Sequence, residues 1–258
     1  MAEVPGRNTI YIRALSLCGK GNAGSGRPTA CRGAYLFSPG GVIHCYTLEG
    51  GAEMPDKKDG RLEFLTDKNS TLVLVDYQPT MFSGVASGDK TIIRNAAYCA
   101  AKAARILDVP VVLSAINPAG NGKFLAEIAD LFPGLEVYAR AVPGFDAFED
   151  EKTWNAAKKT GRKKMVISGL WTSMCFAYTA LHGIREGYEV YGLMDAGGDS
   201  TPDAHRYGIE RMIQAGVVPI TVESLVSEWM HDWANPKAGE LVKEVYSRYG
   251  YMIGLGRT

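Results

Sequence analysis

Cys175 follows an apolar run, Lys164-Met-Val-Ile-Ser168, and a tight turn, Gly169-Leu-Trp-Thr172. The run reads as a buried strand and residues 173–186 as the helix after it. Cys175 then falls in a first helical turn, where unpaired N–H groups and the helix dipole stabilise a thiolate or an oxyanion. The competing reading is a small buried hydrophobe, the common fate of a free cysteine. Asp76 closes a second apolar run, Thr71-Leu-Val-Leu-Val75, and is the candidate base. An acid there is costly to bury unless something pairs with it, and its plainer role is to brace a loop. Arg140 ends a third run, residues 135–139, and could hold Asp76 ionised through a charge-assisted bond or else make a surface ion pair. Cysteine, carboxylate and guanidinium together make a nucleophile, its base and a fixed positive charge.

These residues need a scaffold that brings three distant segments to one edge. Apolar runs at residues 71–76, 111–115, 135–139, 164–168, 188–194 and 217–222 read as strands. Helical stretches at 90–107, 123–132, 150–160, 173–186 and 202–215 alternate with them, and 224–229 and 237–248 close the chain. Residues 117–122 read as a loop, and Gly216 as a helix C-cap. Six alternating strands predict an α/β fold, a parallel sheet covered by helices on both faces. Ligands bind such folds at the carboxyl ends of the strands. Chemistry is therefore expected at Asp76 to Gln78, Ile116 and Asn117, Arg140, residues 169–175 and Asp195 to Asp199.

Composition limits the rest. The chain has 258 residues, and 28 basic side chains balance 28 acidic ones. No basic excess points to nucleic acid as a partner. Five cysteines, an odd number, suit a reducing compartment, and a cytoplasmic location is expected. No run is apolar enough for a membrane span. The first 53 residues stand apart: they hold 10 of the 30 glycines, three cysteines (Cys18, Cys31, Cys45) and no Asp. They read as a largely unstructured extension before a domain over 54–258, with Met54 as the initiator, an organelle transit segment or a mobile arm as the explanations. Four scattered histidines give no metal-ligand spacing, and glycines 19 to 26 follow no strand, so no metal or nucleotide cofactor is expected.

Leu74-Val-Asp76-Tyr-Gln78, Ser168-Gly-Leu-Trp-Thr-Ser-Met-Cys175, Met194-Asp-Ala196 and Arg211-Met-Ile-Gln-Ala-Gly-Val217 carry a resemblance. Over about residues 68–248 the chain resembles the isochorismatase-like cysteine hydrolases, and among them the YcaC-like branch. The resemblance implies a Rossmann-like three-layer α/β/α sandwich on a six-stranded parallel sheet, and a homo-oligomer, for which Tyr246, Tyr249, Tyr251 and Met252 are candidate interface residues or ordinary core. It implies a metal-independent hydrolase of a small amide, ester or related carbonyl substrate, with Cys175 as nucleophile and Asp76 as acid–base. The family's third catalytic residue is a Lys; Arg140 falls in its place and can fix charge but not shuttle a proton. A non-proline cis peptide is implied at Leu170–Trp171, with the N–H groups of Trp171 and Cys175 as the oxyanion hole. Gln78, Phe82, Asn117 and Phe176 are further pocket candidates beside Trp171. Two alternatives stand: vinyl-ether hydrolysis of the isochorismatase type with no covalent intermediate, and a catalytically silent binding or assembly protein on the same fold.

Overall fold

The computed structural model describes residues 60–140 and 143–250 and, before them, the backbone of two short strands. The chain divides into two units, Met1–Asp59 and Gly60–Thr258. In the first, β1 (Ala34–Leu36) pairs antiparallel with β2 (His44–Tyr46). The rest of residues 1–53, and with it the expected extension and its initiator at Met54, lies outside the described residues.

The second unit is built on β3 (Ser70–Val75), β4 (Val111–Ala115), β5 (Val137–Ala139), β6 (Lys164–Gly169), β7 (Glu189–Leu193) and β8 (Val218–Ile220). They form one parallel sheet in the order β5-β4-β3-β6-β7-β8. The six expected strands are all present. Every residue of β3, β4 and β6 is buried, which is why these segments read as unbroken apolar runs rather than alternating ones. Winding goes outward from β3 through β4 to β5 on one side and from β6 through β7 to β8 on the other. The strand order therefore reverses between β3 and β6, and a crevice opens at their carboxyl ends.

Helices α1 (Pro79–Ser83), α2 (Lys90–Leu107), α3 (Pro118–Asn121), α4 (Ala126–Ala129), α5 (Glu151–Lys159), α6 (Ala177–Arg185), α7 (Pro202–Gln214), α8 (Val222–Met230), α9 (Ala238–Leu241) and α10 (Ser247–Tyr249) complete the unit. α2 spans the residues expected of it. The Asp89 carboxylate caps it by accepting from the N–H groups of Thr91 and Ile92, and Asp108 ends it in a left-handed conformation at φ 58°. Its buried alanines let it lie close on the sheet, in one core layer with Leu72, Leu74 and Leu113. Val73, Val75, Met165 and Ile167 point the other way, into a layer with Phe148, Phe176, Ala177 and Ala180. Each fully buried Leu, Val or Phe in these layers contributes about 1.5–3 kcal/mol of transfer free energy.

The differences from expectation lie in short segments. α1 and α3 were not foreseen; both begin at a Pro, whose fixed φ suits a first helical position. The helix expected over 173–186 opens with a π-helical turn, Thr172–Phe176, before α6. The stretch 237–248 likewise splits into α9, a π-helical turn at Val242–Tyr246, and α10. Tyr246 is core at 3% exposure, and the Tyr249 hydroxyl bonds to Asp195, so both serve the fold of this chain. Tyr251 and Met252 lie outside the described residues.

Candidate active site

Asp76 is the first residue past β3. Its N–H still bonds the Ser114 carbonyl of β4 at 2.8 Å, but its φ of 60° turns the chain out of the strand. Asp tolerates this left-handed region better than most residues. Arg140, just past β5, reaches across the end of β4 and takes the Asp76 carboxylate in a fork. Its Nη1 donates to Oδ1 at 2.9 Å and its Nη2 to Oδ2 at 2.7 Å. Both side chains are wholly buried. Nη1 also lies 3.2 Å from Ser114 Oγ, and the Arg140 N–H donates to the Ala115 carbonyl at 3.0 Å. β5 is thus tied to β3 through a buried, two-pronged ion pair.

Cys175 arrives from β6. Gly169 ends that strand where a Cβ would stand 2.7 Å from the Val75 carbonyl oxygen, so only glycine lets the chain pass so close to the end of β3. The Leu170–Trp171 peptide is cis, at the position the resemblance implied. The indole of Trp171 donates to the Met81 carbonyl at 2.9 Å, which fixes the ring against α1. The π-helical turn then carries Cys175 into contact with Asp76 and Arg140. Asp76, Arg140 and Cys175, 99 residues apart at the extremes, converge at the reversal point of the sheet.

The thiol has a setting different from the one its position suggested. Cys175 is 2% exposed. Burial pushes its thiol well above the ordinary range, and the negative charge of Asp76 and a hydrogen bond to it push the same way; Arg140 opposes them. Burial and the facing carboxylate thus oppose the thiolate that a helix N-terminus would favour. Burial also raises the carboxyl of Asp76, against the pull of Arg140. A protonated thiol beside a carboxylate of raised proton affinity is a donor paired with its acceptor. Alkylation of Cys175 by iodoacetamide, followed by peptide mapping, is expected to quicken steadily up to pH 10. A labelling midpoint at pH 6–7, well below the usual thiol value of about 8.5, would show a preformed thiolate instead.

The remaining site candidates separate. Gln78 is buried and its amide is spent on the loop after β4: Nε2 donates to the carbonyls of Ile116 (3.0 Å) and Gly122 (2.6 Å), and Oε1 accepts from the Ile116 N–H (2.9 Å). Phe82 packs its ring 6.0 Å from that of Tyr77. Phe176 is fully buried, against Gly197. Asn117 is exposed, in a left-handed conformation at the start of α3. A cavity of about 330 Å³ opens at the same sheet edge between α4, Ala115 and Ala139, and none of these candidates lines it. Among the described residues no three His, Cys, Asp or Glu side chains converge as metal ligands.

Sequence reasoning missed the supports. Ser114 sits inside an apolar run, and nothing in its type announces contact with Arg140. The Tyr77 hydroxyl lies 2.9 Å from Ser168 Oγ and 2.8 Å from the Ala196 carbonyl, joining the residue after Asp76 to β6 and to the loop after β7. Tyr77 lies within the stretch Asp76 to Gln78 where chemistry was expected, but its residue type does not show what the hydroxyl bonds.

The isochorismatase domain model matches residues 70–224, which spans β3 to the first turn of α8 and includes all three converging residues. The chain belongs to the isochorismatase family. Probable hydrolase YcaC of Escherichia coli (strain K12) is 31% identical over 176 residues, 67% of this chain and 84% of that one. Two solved structures share the fold. YcaC from Pseudomonas aeruginosa, with hexane-2,5-diol and covalent acrylamide, matches at a TM-score of 0.71 and 26% identity over 76% of this chain and 98% of that chain. YcaC from Escherichia coli, described as an octameric hydrolase of unknown specificity, matches at 0.70 and 27% identity over 75% and 96%. The protein is an isochorismatase-family hydrolase of YcaC-like type, on that family's parallel α/β sheet. Among the described residues no helix is long and apolar enough to cross a membrane.

Proposed function

We propose that this isochorismatase-family member is a metal-independent cysteine hydrolase of a small amide, ester or related carbonyl compound, working through a thioester on Cys175. The observation that carries the proposal is the buried Cys175 thiol set against a carboxylate that Arg140 holds by both oxygens. Asp76 takes the thiol proton as Sγ bonds to the carbonyl carbon. The N–H groups of Trp171 and Cys175 receive the oxyanion. Asp76 then returns the proton to the leaving amine or alcohol as the carbon–nitrogen or carbon–oxygen bond breaks. Water, losing a proton to Asp76, adds to the thioester; the carbon–sulfur bond breaks and Asp76 returns that proton to the departing Cys175 sulfur. Arg140 remains protonated throughout and holds Asp76 in place. The covalent acrylamide in the Pseudomonas aeruginosa relative supports a reactive side chain on this fold. The octameric Escherichia coli relative supports a homo-oligomer here.

One observation favours a second chemistry. The raised carboxyl of Asp76 can also be a proton donor, as vinyl-ether hydrolysis of the isochorismatase type requires, with Cys175 dispensable. Acid-quenched turnover of a panel of amides, esters and nitriles, read by intact mass and peptide mapping, separates the two. An acyl group on Cys175 is expected. Turnover that leaves Cys175 unmodified, and persists when it is alanine, overturns the thioester route.

A further inference from the structure

The π-helical turn that carries Cys175 is gripped from its other side by residues outside the three converging ones. Thr172, three residues before the cysteine, donates its N–H to the Gly198 carbonyl at 2.9 Å. Its hydroxyl lies 3.2 Å from the same carbonyl oxygen and 2.8 Å from Nδ1 of His205, on α7. The next residue, Ser173, donates its N–H to Asp199 Oδ2 at 2.7 Å. Asp199 is fully buried, and its other oxygen accepts from the Ser200 N–H at 2.7 Å. Its own backbone is pinned in turn: its carbonyl accepts from the N–H groups of Ala86 (2.8 Å) and Ser87 (3.0 Å), and its N–H donates to Ser87 Oγ at 2.8 Å. Two glycines let these segments close on the turn. A Cβ on Gly197 would stand 2.9 Å from Thr172 Oγ1, and one on Gly208 would stand 2.8 Å from the Ser173 Cα.

We propose that Asp199 and His205 are positioning residues that clamp Thr172 and Ser173 and so set where the Cys175 sulfur stands against Asp76. This rests on the reading of Cys175 as the nucleophile. Neither residue touches the reacting atoms; both act through the turn. A buried carboxylate with both oxygens bound to backbone N–H groups has little freedom, and a side-chain bond from α7 locks Thr172, the residue before Ser173. A displacement of the sulfur by an ångström costs a nucleophilic step about a hundredfold.

The test uses the full chain and p-nitrophenyl acetate, an activated ester whose thiolysis leaves an acetyl thioester and releases p-nitrophenolate. Asp199→Ala and His205→Ala are expected to lower kcat about a hundredfold while KM stays within about twofold. His205→Asn, whose amide can occupy the place of Nδ1, is expected to recover most of the lost rate. A general loss of stability would move the thermal midpoint without this split and without that recovery. Should Asp199→Ala fail to fold, the two His205 variants decide, since His205 is only partly buried. Folded Asp199→Ala and His205→Ala proteins with wild-type kcat overturn the clamp, and so does a His205→Asn protein as slow as His205→Ala. If the wild type acquires no acetyl group on Cys175 and Cys175→Ala turns over equally fast, the nucleophile reading itself falls and the clamp with it.

Discussion

Cys175→Ala is expected to abolish turnover of any ester or amide that the wild-type protein hydrolyses, and to leave the fold standing. Removing the nucleophile of a covalent mechanism costs about four to six orders of magnitude in kcat, because the remaining groups act as a unit with it. Asp76 has no second partner to which it could pass the same role: Arg140 is a permanent cation and holds no transferable proton near neutral pH. The fold should tolerate the change. The substitution removes one sulfur from a site that is already closed, and it relieves the carboxylate of a buried neighbour. A thermal midpoint within about 4 °C of wild type is expected, equivalent to about 1–2 kcal/mol for a unit of this size. Residual activity above about a tenth of the wild-type kcat would mean that bond cleavage does not pass through the sulfur.

Arg140→Met is expected to damage stability and activity together. Its two terminal nitrogens hold both oxygens of a carboxylate that has no exposure to water. Breaking a buried pair by deleting one partner leaves an uncompensated charge and costs about 3–5 kcal/mol. The Asp76 carboxyl, already raised by burial, then loses the cation that pulls it down. Its proton affinity rises further, which weakens it as the proposed base. Thermal melting should show a fall of roughly 6–20 °C. Asp76→Asn with Arg140→Met should recover part of that fall, since removing both charges removes the imbalance, while activity stays absent. A single Arg140→Met variant that melts with the wild type would mean that the ion pair contributes nothing net to the fold.

Much of this was legible from residue order. Strands buried on both faces cannot be written with alternating polarity, so β3, β4 and β6 announced themselves as apolar runs, and the residues just beyond them marked one edge of the sheet. Asp76, Arg140 and Cys175 were found by that rule, before any family likeness. What was not legible is where side chains turn once the strand ends. Gln78, next in line after Asp76, looked like a pocket residue; its amide is instead used up on the backbone of residues 116–122. Asn117, at an equally promising place, ends on the surface because its left-handed φ of 42° turns it outward into α3. The setting of the thiol is hidden from the sequence for a related reason. A helix N-terminus favours a thiolate, but burial and a facing carboxylate outweigh it, and neither can be read from spacing.

The ion pair has a meaning for descent as well as for chemistry. β5 is an edge strand of three residues, with one neighbour, β4, and Arg140 is the first residue beyond it. The side chain that holds the Asp76 carboxylate also pins the end of this short edge strand to β3, at the centre of the sheet. A lineage that gave up catalysis on this scaffold could not discard Asp76 or Arg140 one at a time without loosening that edge. Loss of function here is a two-step path with an unstable midpoint, and the pair would tend to persist after its chemistry had gone. Cys175 carries no such obligation to the fold. On the proposed mechanism, the cysteine is the sensitive marker of lost activity across descendants of this chain, and the aspartate and arginine are poor ones.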